Sequence, residues 1–457
     1  MASPQPTMES LWFETALLPQ GWRRGVRLTA VDGLISKVET DASPAPADER
    51  GAIAVPGLGN VHSHAFQRAL AGLTERRGPA EDDFWTWREA MYAFLERLGP
   101  DDVEAIATLA YCEMLEAGFT RVGEFHYLHH DPHGRPYADP AEMAGRIAAA
   151  AAASGIGLTL LPVFYAHSGF GGAPPAPGQR RFVAGLDGFA RLLEASAEAI
   201  GPLPDAILGL APHSLRAVTP EELAEITPLA GRGGIHIHAA EQTAEVDACV
   251  SWSGQRPVAW LLDHAGVDQS WRLIHATHMT AAETARLAAS GAVAGLCPIT
   301  EADLGDGVFP ARTYLDAGGR FGVGTDSNVR IDAAGELRAL EYAQRLTARR
   351  RNLLAGPEQP SVGAFLFRAA LAGGAQALGV EPGLRIGAAM DVLALDGDHP
   401  SFVGATGDSI LDRWIFAGGP IDRVWRRGAC VVRQGRHVRR RSAAAAYRRS
   451  LSRLLAA

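Results

Sequence analysis

The sequence predicts an α/β protein: a (β/α)8 TIM-type barrel with a small β-sandwich domain built from both chain ends. Two observations favour this fold. From residue 52 onward, short apolar runs alternate with longer segments rich in Ala, Leu, Glu and Arg, as expected of strands alternating with helices. The two ends of the chain instead alternate apolar and polar residues between turn residues. We therefore expect residues 1–55 and 380–457 to form the small domain and residues 56–379 to form the barrel.

Eight apolar runs supply the predicted barrel strands, and each ends in polar or glycine-rich residues. Helical segments lie between them, such as "TAAETARLAASG", in which Thr280 can cap the helix and Gly291 can end it. In a TIM barrel the carboxyl ends of the strands build the active site. In chain order the runs are "AIAVPGLGNVHSH", "TRVGEFHY", "GLTLLPVFY", "AILGLAPHS", "GGIHIHAAE", "RLIHATHM", "GAVAGLCPIT" and "RFGVGTDSN".

The composition bounds the class of protein. The chain has 457 residues, 47% of them hydrophobic and 21% charged, with a net charge of -8, so no excess of basic residues points to nucleic acid or anionic lipid. The amino terminus lacks a basic region followed by a long apolar segment, and no apolar run is long enough to span a bilayer. The four cysteines lie far apart, as expected of reduced thiols. We expect a cytoplasmic protein without nucleic-acid or membrane partners.

Histidines and carboxylates recur where several of the apolar runs end. The first run ends in His62 and His64, which are two residues apart and so face one side of a strand. One such pair is weak support for a metal site, but its recurrence at the same end of successive strands indicates a shared centre. The other members are His236, His238 and Glu241 after the fifth run, His275 and His278 after the sixth, and Asp326 after the eighth.

These residue types suit a hydrolytic metal centre. Neutral imidazole nitrogens and a carboxylate bind borderline divalent ions such as zinc, and catalytic sites keep one position open for water. Water bound there ionises near neutral pH and supplies hydroxide, while an unliganded carboxylate can move protons to the leaving group. The same ligands accept several divalent ions, so zinc, iron and manganese stay open.

In this order, the segments "GNVHSH", "HIHAAE", "LIHATH" and "GTDSN" resemble the amidohydrolase superfamily, specifically its deaminase branch with one metal. The resemblance covers nearly the whole chain. We expect structural roles for His236 and His278. The roles implied for the others are metal ligands for His62, His64, His238 and Asp326, a proton shuttle for Glu241, orientation of the water for His275, and acceptance of the first proton for Asp326.

The lysine content bears on the number of metal ions. Binuclear members of several branches of the superfamily bridge two metals with a carbamylated lysine from a barrel strand. Lys37 is the single lysine of the chain, and it lies outside the predicted barrel. We therefore expect one divalent metal, with Zn2+ as the first choice.

Further segments narrow the resemblance to the formimidoylglutamate deiminases. These enzymes of histidine degradation convert N-formimino-L-glutamate into N-formyl-L-glutamate and ammonia. The resemblance implies attack of metal-bound hydroxide on the formimino carbon. The segments that carry it are "QRALAGL", "DDFWTWREAMY", "GEFHYLHH", "YAHSGFGG", "APHSLRAV" and "CPITEADLGDG".

The two carboxylates of such a substrate predict two arginines in the pocket. A planar guanidinium grips a carboxylate through two parallel hydrogen bonds. Our candidates are Arg88 in "WTWRE" and Arg216 in "HSLR". The other residues predicted at the pocket are Gln67, Tyr127 and His213 as polar neighbours, with Trp85 and Trp87 in its wall or in the core.

Several alternatives stay open on the sequence. A nucleobase or triazine deaminase would keep the metal chemistry, require aromatic stacking and tolerate loss of the two arginines. A non-catalytic scaffold would be expected to lose ligands, whereas all are present here. Hydrolysis could also expel glutamate and give formamide, and only the resemblance favours loss of ammonia. The resemblance further implies a homodimer, and the composition of residues 169–181 allows a lid-like loop.

Overall fold

The computed structural model describes residues 8–77 and 83–456, whose strands form two sheets. The first seven residues of the predicted small domain lie outside the described residues. The strands are β1 Met8–Leu18, β2 Gly21–Val31, β3 Leu34–Glu39, β4 Glu49–Pro56, β5 Leu58–Ser63, β6 Phe119–His126, β7 Gly157–Phe164, β8 Ile207–Leu208, β9 Ala211–Pro212, β10 Ile235–Ala239, β11 Trp271–His275, β12 Val293–Leu296, β13 Arg320–Val323, β14 Val392–Leu395, β15 Ile421–Arg426, β16 Ala429–Arg433 and β17 Arg436–His437. The helices are α1 Phe84–Leu95, α2 Pro100–Ala117, α3 Glu142–Ser154, α4 Leu186–Ile200, α5 Pro220–Ile226, α6 Thr243–Ser253, α7 Pro257–His264, α8 Ala281–Ser290, α9 Pro298–Leu304, α10 Ala311–Asp316, α11 Ala333–Ala348, α12 Val362–Leu378, α13 Ser409–Ala417 and α14 Arg440–Ala456.

One sheet is a ring of parallel strands and confirms the predicted barrel. Its order is β10-β11-β12-β13-β5-β6-β7-β8. The fourth barrel strand is divided into β8 and β9, and both pieces pair with β7. Parallel bridges from Leu210 to Ile235 and from Ser214 to His238 join this strand to β10 and close the ring. Each of the eight predicted runs therefore contributes one barrel strand.

The helices between the strands begin and end where local chemistry dictates. At α8 the Thr280 hydroxyl accepts a hydrogen bond from the Glu283 amide at 3.2 Å, and the helix ends at Gly291 with a φ of 78°. That left-handed conformation strains residues with a Cβ, so glycine is suited to it. The predicted cap and stop of this helix are both confirmed.

Helix α12 fills the amino-terminal end of the barrel. A Cβ at Gly59 or Gly123 would come within 2.7 Å of Leu378, the last residue of α12. The Nε2 atom of His236 lies 3.2 Å from the Ala377 carbonyl oxygen, so this ring belongs to the closed end. Ligands must therefore reach the barrel interior from the carboxyl ends of the strands.

The other sheet combines both chain ends, as predicted, in the order β17-β16-β15-β14-β4-β1-β2-β3. Phe13 on β1 and Trp425 on β15 are separated by two strands, yet their ring centroids lie 5.7 Å apart. In a flat sheet three strand spacings would place them about 14 Å apart. Leu34 of β3 also bridges Ala389, shortly before β14. The sheet is therefore curled around its own apolar core.

Helix α14 packs on α2, a helix of the barrel. Arg440 pairs with Glu113 at 2.7 Å and with Glu116 at 3.0 Å, and Arg453 pairs with Asp102. Acidic groups of α2 thus neutralise some of the arginines of this helix. Within residues 8–77 and 83–456, no helix is both long and apolar enough to cross a membrane.

A buried ion-pair cluster joins the two sheets. Asp205, before β8, pairs with Arg121 of β6 at 2.7 Å and also with Arg426 of β15. The second partner of Arg426 is Asp391, at 2.8 Å. Both guanidinium groups are almost fully buried, and burial lowers the pKa of Arg121 to about 10. Asp205 therefore compensates two cations that have little access to water.

Replacement of Asp205 by asparagine is expected to lower the free energy of unfolding by about 3 kcal/mol, because it leaves buried guanidinium groups short of an anion. The matched control is Asp316→Asn, which removes the exposed pair between Arg312 and Asp316; it should cost less than about 1 kcal/mol. Denaturant unfolding of both variants measures the difference. Equal losses would mean that the cluster does not join the sheets in the way described.

Candidate active site

The predicted histidines and Asp326 converge at the carboxyl end of the barrel. The Nε2 atoms of His62 and His64, at the end of β5, each lie 3.3 Å from Asp326 Oδ1, just after β13. The Nε2 atom of His238 on β10 lies 3.1 Å from His62 Nε2. Four donors bound at 2.0–2.1 Å around one tetrahedral ion lie about 3.3 Å apart. These three contacts have the spacing of donor atoms around a single divalent ion.

His275 at the end of β11 lies beside this group. The nearest donor atoms of His62, His238, His275 and Asp326 all fall within 4.8 Å of one another. His275 Nε2 stands farther from the carboxylate than the Nε2 atoms of His62 and His64, at 3.9 Å from Asp326 Oδ2. It is buried without a hydrogen-bond partner in the structure. An unpaired polar atom at this position is what a site for an ion and its water requires.

Backbone carbonyls orient two of the rings. His64 Nδ1 lies 2.8 Å from the Phe125 carbonyl oxygen, and His238 Nδ1 lies 2.9 Å from that of His213. Because a carbonyl oxygen only accepts, each Nδ1 carries the proton, so the Nε2 lone pair of His64 faces Asp326 and that of His238 faces His62 Nε2. The site thus presents its rings in the tautomer that binds a metal.

Burial sets the protonation of the cluster. Desolvation lowers the pKa of His64 to about 3 and holds the pKa values of His62 and His238 below the usual range. Burial opposes ionisation of Asp326, but the hydrogen bond and charge of His62 outweigh it and hold the pKa of that carboxyl well below its usual range. Neutral imidazoles and an ionised carboxylate are the forms that bind a divalent cation.

Backbone strain is concentrated at the ends of three strands around the site. Positive φ values occur at Ala240 (51°), His275 (66°), Ala276 (48°) and Asp326 (43°), none of which is a glycine. Such conformations cost about 1–3 kcal/mol each and persist only where the surroundings hold them. They aim the residues that follow each strand into the mouth of the barrel.

Asn328 holds the last strand end against the first. Its side-chain amide donates to Ser63 Oγ, to the His64 carbonyl and to the Asp326 carbonyl, each at 3.1 Å. Its oxygen accepts from the Thr325 hydroxyl at 2.6 Å. The separation between Asp326 and the two histidines of β5 is therefore set by a buried polar network.

Glu241 follows β10 and faces the cluster. Its Oε1 lies 3.7 Å from His275 Nε2, and its backbone amide donates to Glu245 at 3.1 Å. Burial raises the pKa of the Glu241 carboxyl to about 7, although His275 acts in the opposite direction. A carboxyl group with such a pKa can both accept and donate a proton near neutral pH.

All five predicted substrate-binding residues line one pocket with Glu241 and Asp326. Arg88 Nε donates to the Tyr92 hydroxyl at 2.6 Å, and its Nη2 donates to that of Tyr165 at 3.3 Å. Arg216 Nε is buried without a partner. Both guanidinium carbons lie over the Trp85 ring, at 5.4 Å and 5.8 Å. Among the described residues, neither arginine has a carboxylate as ion-pair partner.

The remaining polar wall lies between the arginines and the metal-ligand cluster. Gln67 donates from Nε2 to the Tyr127 hydroxyl at 2.8 Å, while its Oε1 is buried and unpaired. His213 supplies the carbonyl that orients His238 and presents its own ring to the pocket. Trp87 lies in the pocket wall, as the sequence predicts. His278 instead binds the Asp306 carbonyl at 2.8 Å.

Sequence reasoning missed Tyr92, Tyr165, Gln179 and Glu301. Tyr165 and Glu301 stand in segments already singled out, "YAHSGFGG" and "CPITEADLGDG", but residue type alone did not show what they contact. The Glu301 Oε1 atom lies 3.2 Å from His275 Nδ1. Gln179, in the loop at 169–181, is buried and donates to the Tyr165 hydroxyl at 2.8 Å. That loop is anchored to the pocket wall.

Comparison with protein families gives two matches along the chain. Residues 53–430 match the model of the Amidohydrolase family, and residues 8–52 match that of the Formimidoylglutamate deiminase HutF, N-terminal domain. Together the two matches cover residues 8–430, which include the whole barrel sheet and all of the other sheet except β17 and most of β16.

Known proteins similar to this chain include a formimidoylglutamate deiminase of Pseudomonas aeruginosa, 51% identical, covering 98% of this chain and all of the relative. A 5-methylthioadenosine/S-adenosylhomocysteine deaminase of Natronomonas pharaonis is 31% identical over 79% of this chain and 77% of its own. The crystal structure of an amidohydrolase from Brucella melitensis superposes with a TM-score of 0.95 at 53% identity, covering 98% of this chain and all of that one.

Replacement of His238 by asparagine is expected to remove most of the bound divalent metal, because one of the converging nitrogen donors is lost; affinity should fall at least 10-fold. His236→Asn on the same strand is the matched control, since that ring contacts Ala377 at the closed end. Elemental analysis of purified protein should find about one ion per chain in the control. Full occupancy in His238→Asn, or equal loss in both, would contradict the site.

Proposed function

The chain belongs to the amidohydrolase family, and on that premise we propose that it hydrolyses N-formimino-L-glutamate to N-formyl-L-glutamate and ammonia. The observation that carries this proposal is the pair Arg88 and Arg216, which face the same pocket as Glu241 and Asp326 without an acidic partner among the described residues. The substrate has two carboxylates, one for each guanidinium. The similarity to the deiminase of Pseudomonas aeruginosa points to the same substrate.

The cofactor in this proposal is one divalent ion, with zinc as the finer assignment. His62, His64, His238 and Asp326 would hold it, because the contacts of His62 and His64 with Asp326 and of His238 with His62 have the spacing of donors around one ion. His275 lies in the same cluster, within 4.8 Å of the donor atoms of His62, His238 and Asp326. Three imidazole nitrogens and one carboxylate are a donor set that suits zinc. When bound, such an ion lowers the pKa of a coordinated water so that it is nucleophilic near neutral pH.

The arginines orient the substrate. Each guanidinium can grip one carboxylate through parallel hydrogen bonds, which fixes both ends of the glutamate moiety. The Gln67 carbonyl oxygen is unpaired and buried, so it can accept from the substrate's N–H. Held in this way, the formimino group reaches toward Glu241 and Asp326. Fixing a flexible substrate next to the reacting groups contributes to the rate.

Glu241 and Asp326 move the protons. One carboxylate takes a proton from water as the water oxygen bonds to the formimino carbon and the C=N double bond becomes single, and Glu241 passes a proton to the terminal nitrogen. The remaining proton of the new hydroxyl group then reaches the same nitrogen through these carboxylates while the C=O bond forms and the C–N bond breaks. Ammonia leaves, one water is consumed and N-formylglutamate remains. His275 Nε2, 3.7 Å from Glu241 Oε1, is placed to orient the water in this step.

The physiological setting and assembly are further proposals. We place the reaction in histidine degradation on the resemblance to the formimidoylglutamate deiminases, and we propose a homodimer on the same ground. The negatively charged chain gives no support to a nucleic-acid partner.

Purified, metal-quantified protein should release ammonia from N-formimino-L-glutamate and leave guanine, cytosine and unsubstituted formamidine nearly untouched, because only the first offers carboxylates to both arginines. Ammonia, N-formylglutamate and formamide are measured in parallel. Turnover of a nucleobase would contradict the dicarboxylate pocket and favour the nucleobase deaminase alternative. Formamide as the product would mean that hydrolysis expels glutamate instead of ammonia.

Replacement of Arg216 or Arg88 by methionine is expected to lower kcat/KM for N-formimino-L-glutamate about 100-fold, because a charge-assisted pair with a carboxylate is lost. The residual rate on unsubstituted formamidine, measured at high enzyme concentration, should be unchanged, since that compound has no carboxylate. Arg191→Met, an exposed position on α4, is the matched control. Unchanged kinetics in Arg88→Met and Arg216→Met would show that these arginines do not bind the substrate.

A further inference from the structure

His275 is held between two carboxylates, one on each side of its ring. Its Nδ1 lies 3.2 Å from Glu301 Oε1. Its Nε2 faces the gap between Glu241 Oε1, at 3.7 Å, and Asp326 Oδ2, at 3.9 Å. The ring is fully buried and stacks on His238 at 5.6 Å with an interplanar angle of 11°. Its orientation therefore decides what Nε2 presents to the reacting groups.

Glu301 is itself rigidly placed. It lies within α9, after strand β12, and is almost completely buried. Its Oε1 accepts a hydrogen bond from the Cys297 amide at 2.9 Å, and its own amide donates to the Cys297 carbonyl at 2.8 Å. The side chain is thus tied to the first turn of its helix, so it can act as a fixed acceptor for a neighbouring ring.

The backbone of His275 does not fix the ring by itself. The residue ends β11 in the left-handed region, with a φ of 66°, and Ala276 follows in the same region. A side chain at such a turn is not held by the regular pleat of a strand. Of its two ring nitrogens, Nδ1 has the hydrogen bond to Glu301 and Nε2 has none. The ring plane is therefore supported by stacking on His238, and the one hydrogen bond that the ring makes among the described residues is that of Nδ1 with Glu301.

We propose that Glu301 is a positioning residue for the hydrolytic step: by accepting the Nδ1 hydrogen of His275, it keeps Nε2 aimed at the space between Glu241 and Asp326 where the attacking water must lie. This inference rests on the proposed function for the identity of the reaction. Glu301 is not among the residues that line the pocket with Glu241 and Asp326, so its proposed effect passes through His275.

Such a role predicts a loss in kcat at nearly constant KM. In Glu301→Ala the ring loses its acceptor, and kcat should fall about 100-fold, the upper range for loss of an outer partner of an active-site histidine. Glu301→Gln keeps an oxygen acceptor and should recover most of this loss, to within about 10-fold of the unaltered chain. Asp303→Asn, on the exposed side of the same helix, is the matched control and should leave kcat unchanged.

A double-mutant cycle separates this role from a purely structural one. If Glu301 acts through His275, adding Glu301→Ala to His275→Asn should change kcat by less than about threefold, whereas independent effects would multiply. Multiplied losses would overturn the inference, as would a Glu301→Ala variant with unchanged kcat. Metal content and unfolding midpoint of each variant are measured alongside, and a kcat loss that follows metal loss or unfolding would equally overturn it.

A second readout does not depend on activity. In NMR spectra of protein labelled with 15N-histidine, one ring N–H signal should be protected from solvent exchange. Its disappearance in His275→Asn assigns it to His275. The signal should lose its protection in Glu301→Ala and keep it in Asp303→Asn. Protection that survives Glu301→Ala would refute the contact. The two proposals can fail separately. If this signal is present and depends on Glu301, but the unaltered chain releases no ammonia from N-formimino-L-glutamate, the proposed function is refuted and the contact between Glu301 and His275 is not.

Discussion

Four electron-pair donors converge in one buried space at the carboxyl end of the barrel, and the surrounding structure depends on how they are accommodated. The Nε2 atoms of His62, His64 and His238 and the Oδ1 of Asp326 lie 3.1–3.3 Å from one another along the contacts that join them. The Nε2 atoms of His64 and His238 and the Asp326 carboxylate can only accept, so they cannot satisfy each other, and burial removes the water that would otherwise serve them. A cation resolves this conflict, so metal affinity and the order of the surrounding strand ends are coupled. The carbonyls of Phe125 and His213 contribute by using the opposite ring nitrogens, which keeps the Nε2 lone pairs free.

Holding these donors in place requires conformations that ordinary strands do not supply. Three strand ends around the site contain non-glycine residues with positive φ, including His275 and Asp326 themselves. The strain is offset by a network that spans the junction between β13 and β5, with Asn328 at its centre. The barrel beneath is filled at its other end by α12, so the strained end rests on a well-packed base. The backbone strain therefore lies at the carboxyl ends of the barrel strands, and the packed base formed by α12 lies at their amino ends.

Much of this arrangement could be predicted from the sequence because the relevant signals are local. The eight strands, the two ends that join in one sheet, and the clustering of histidines with Asp326 follow from hydrophobic period, from residue type and from the rule that parallel strands share one carboxyl edge. The partners of those residues were not predictable in the same way. Whether Glu301 reaches His275 depends on the phase of a short helix after β12, and whether Gln179 reaches Tyr165 depends on the path of a loop. The curl that brings Phe13 to Trp425 is likewise a property of sheet twist.

The loop at 169–181 makes contacts that its composition does not predict. Its glycines and prolines allow a lid-like loop, and in the structure Phe170 stacks on Trp252 at 5.5 Å and Gln179 donates to the Tyr165 hydroxyl. Tyr165 in turn accepts a hydrogen bond from Arg88. The loop is therefore linked through Tyr165 to one guanidinium of the pocket, and a binding group that is already oriented loses less entropy when its ligand binds. Since Arg88 and Arg216 both lie over the Trp85 ring, packing within the free protein positions both guanidinium groups. In the proposed function these groups hold the two carboxylates of the substrate, and their fixed positions direct its reacting end toward Glu241 and Asp326.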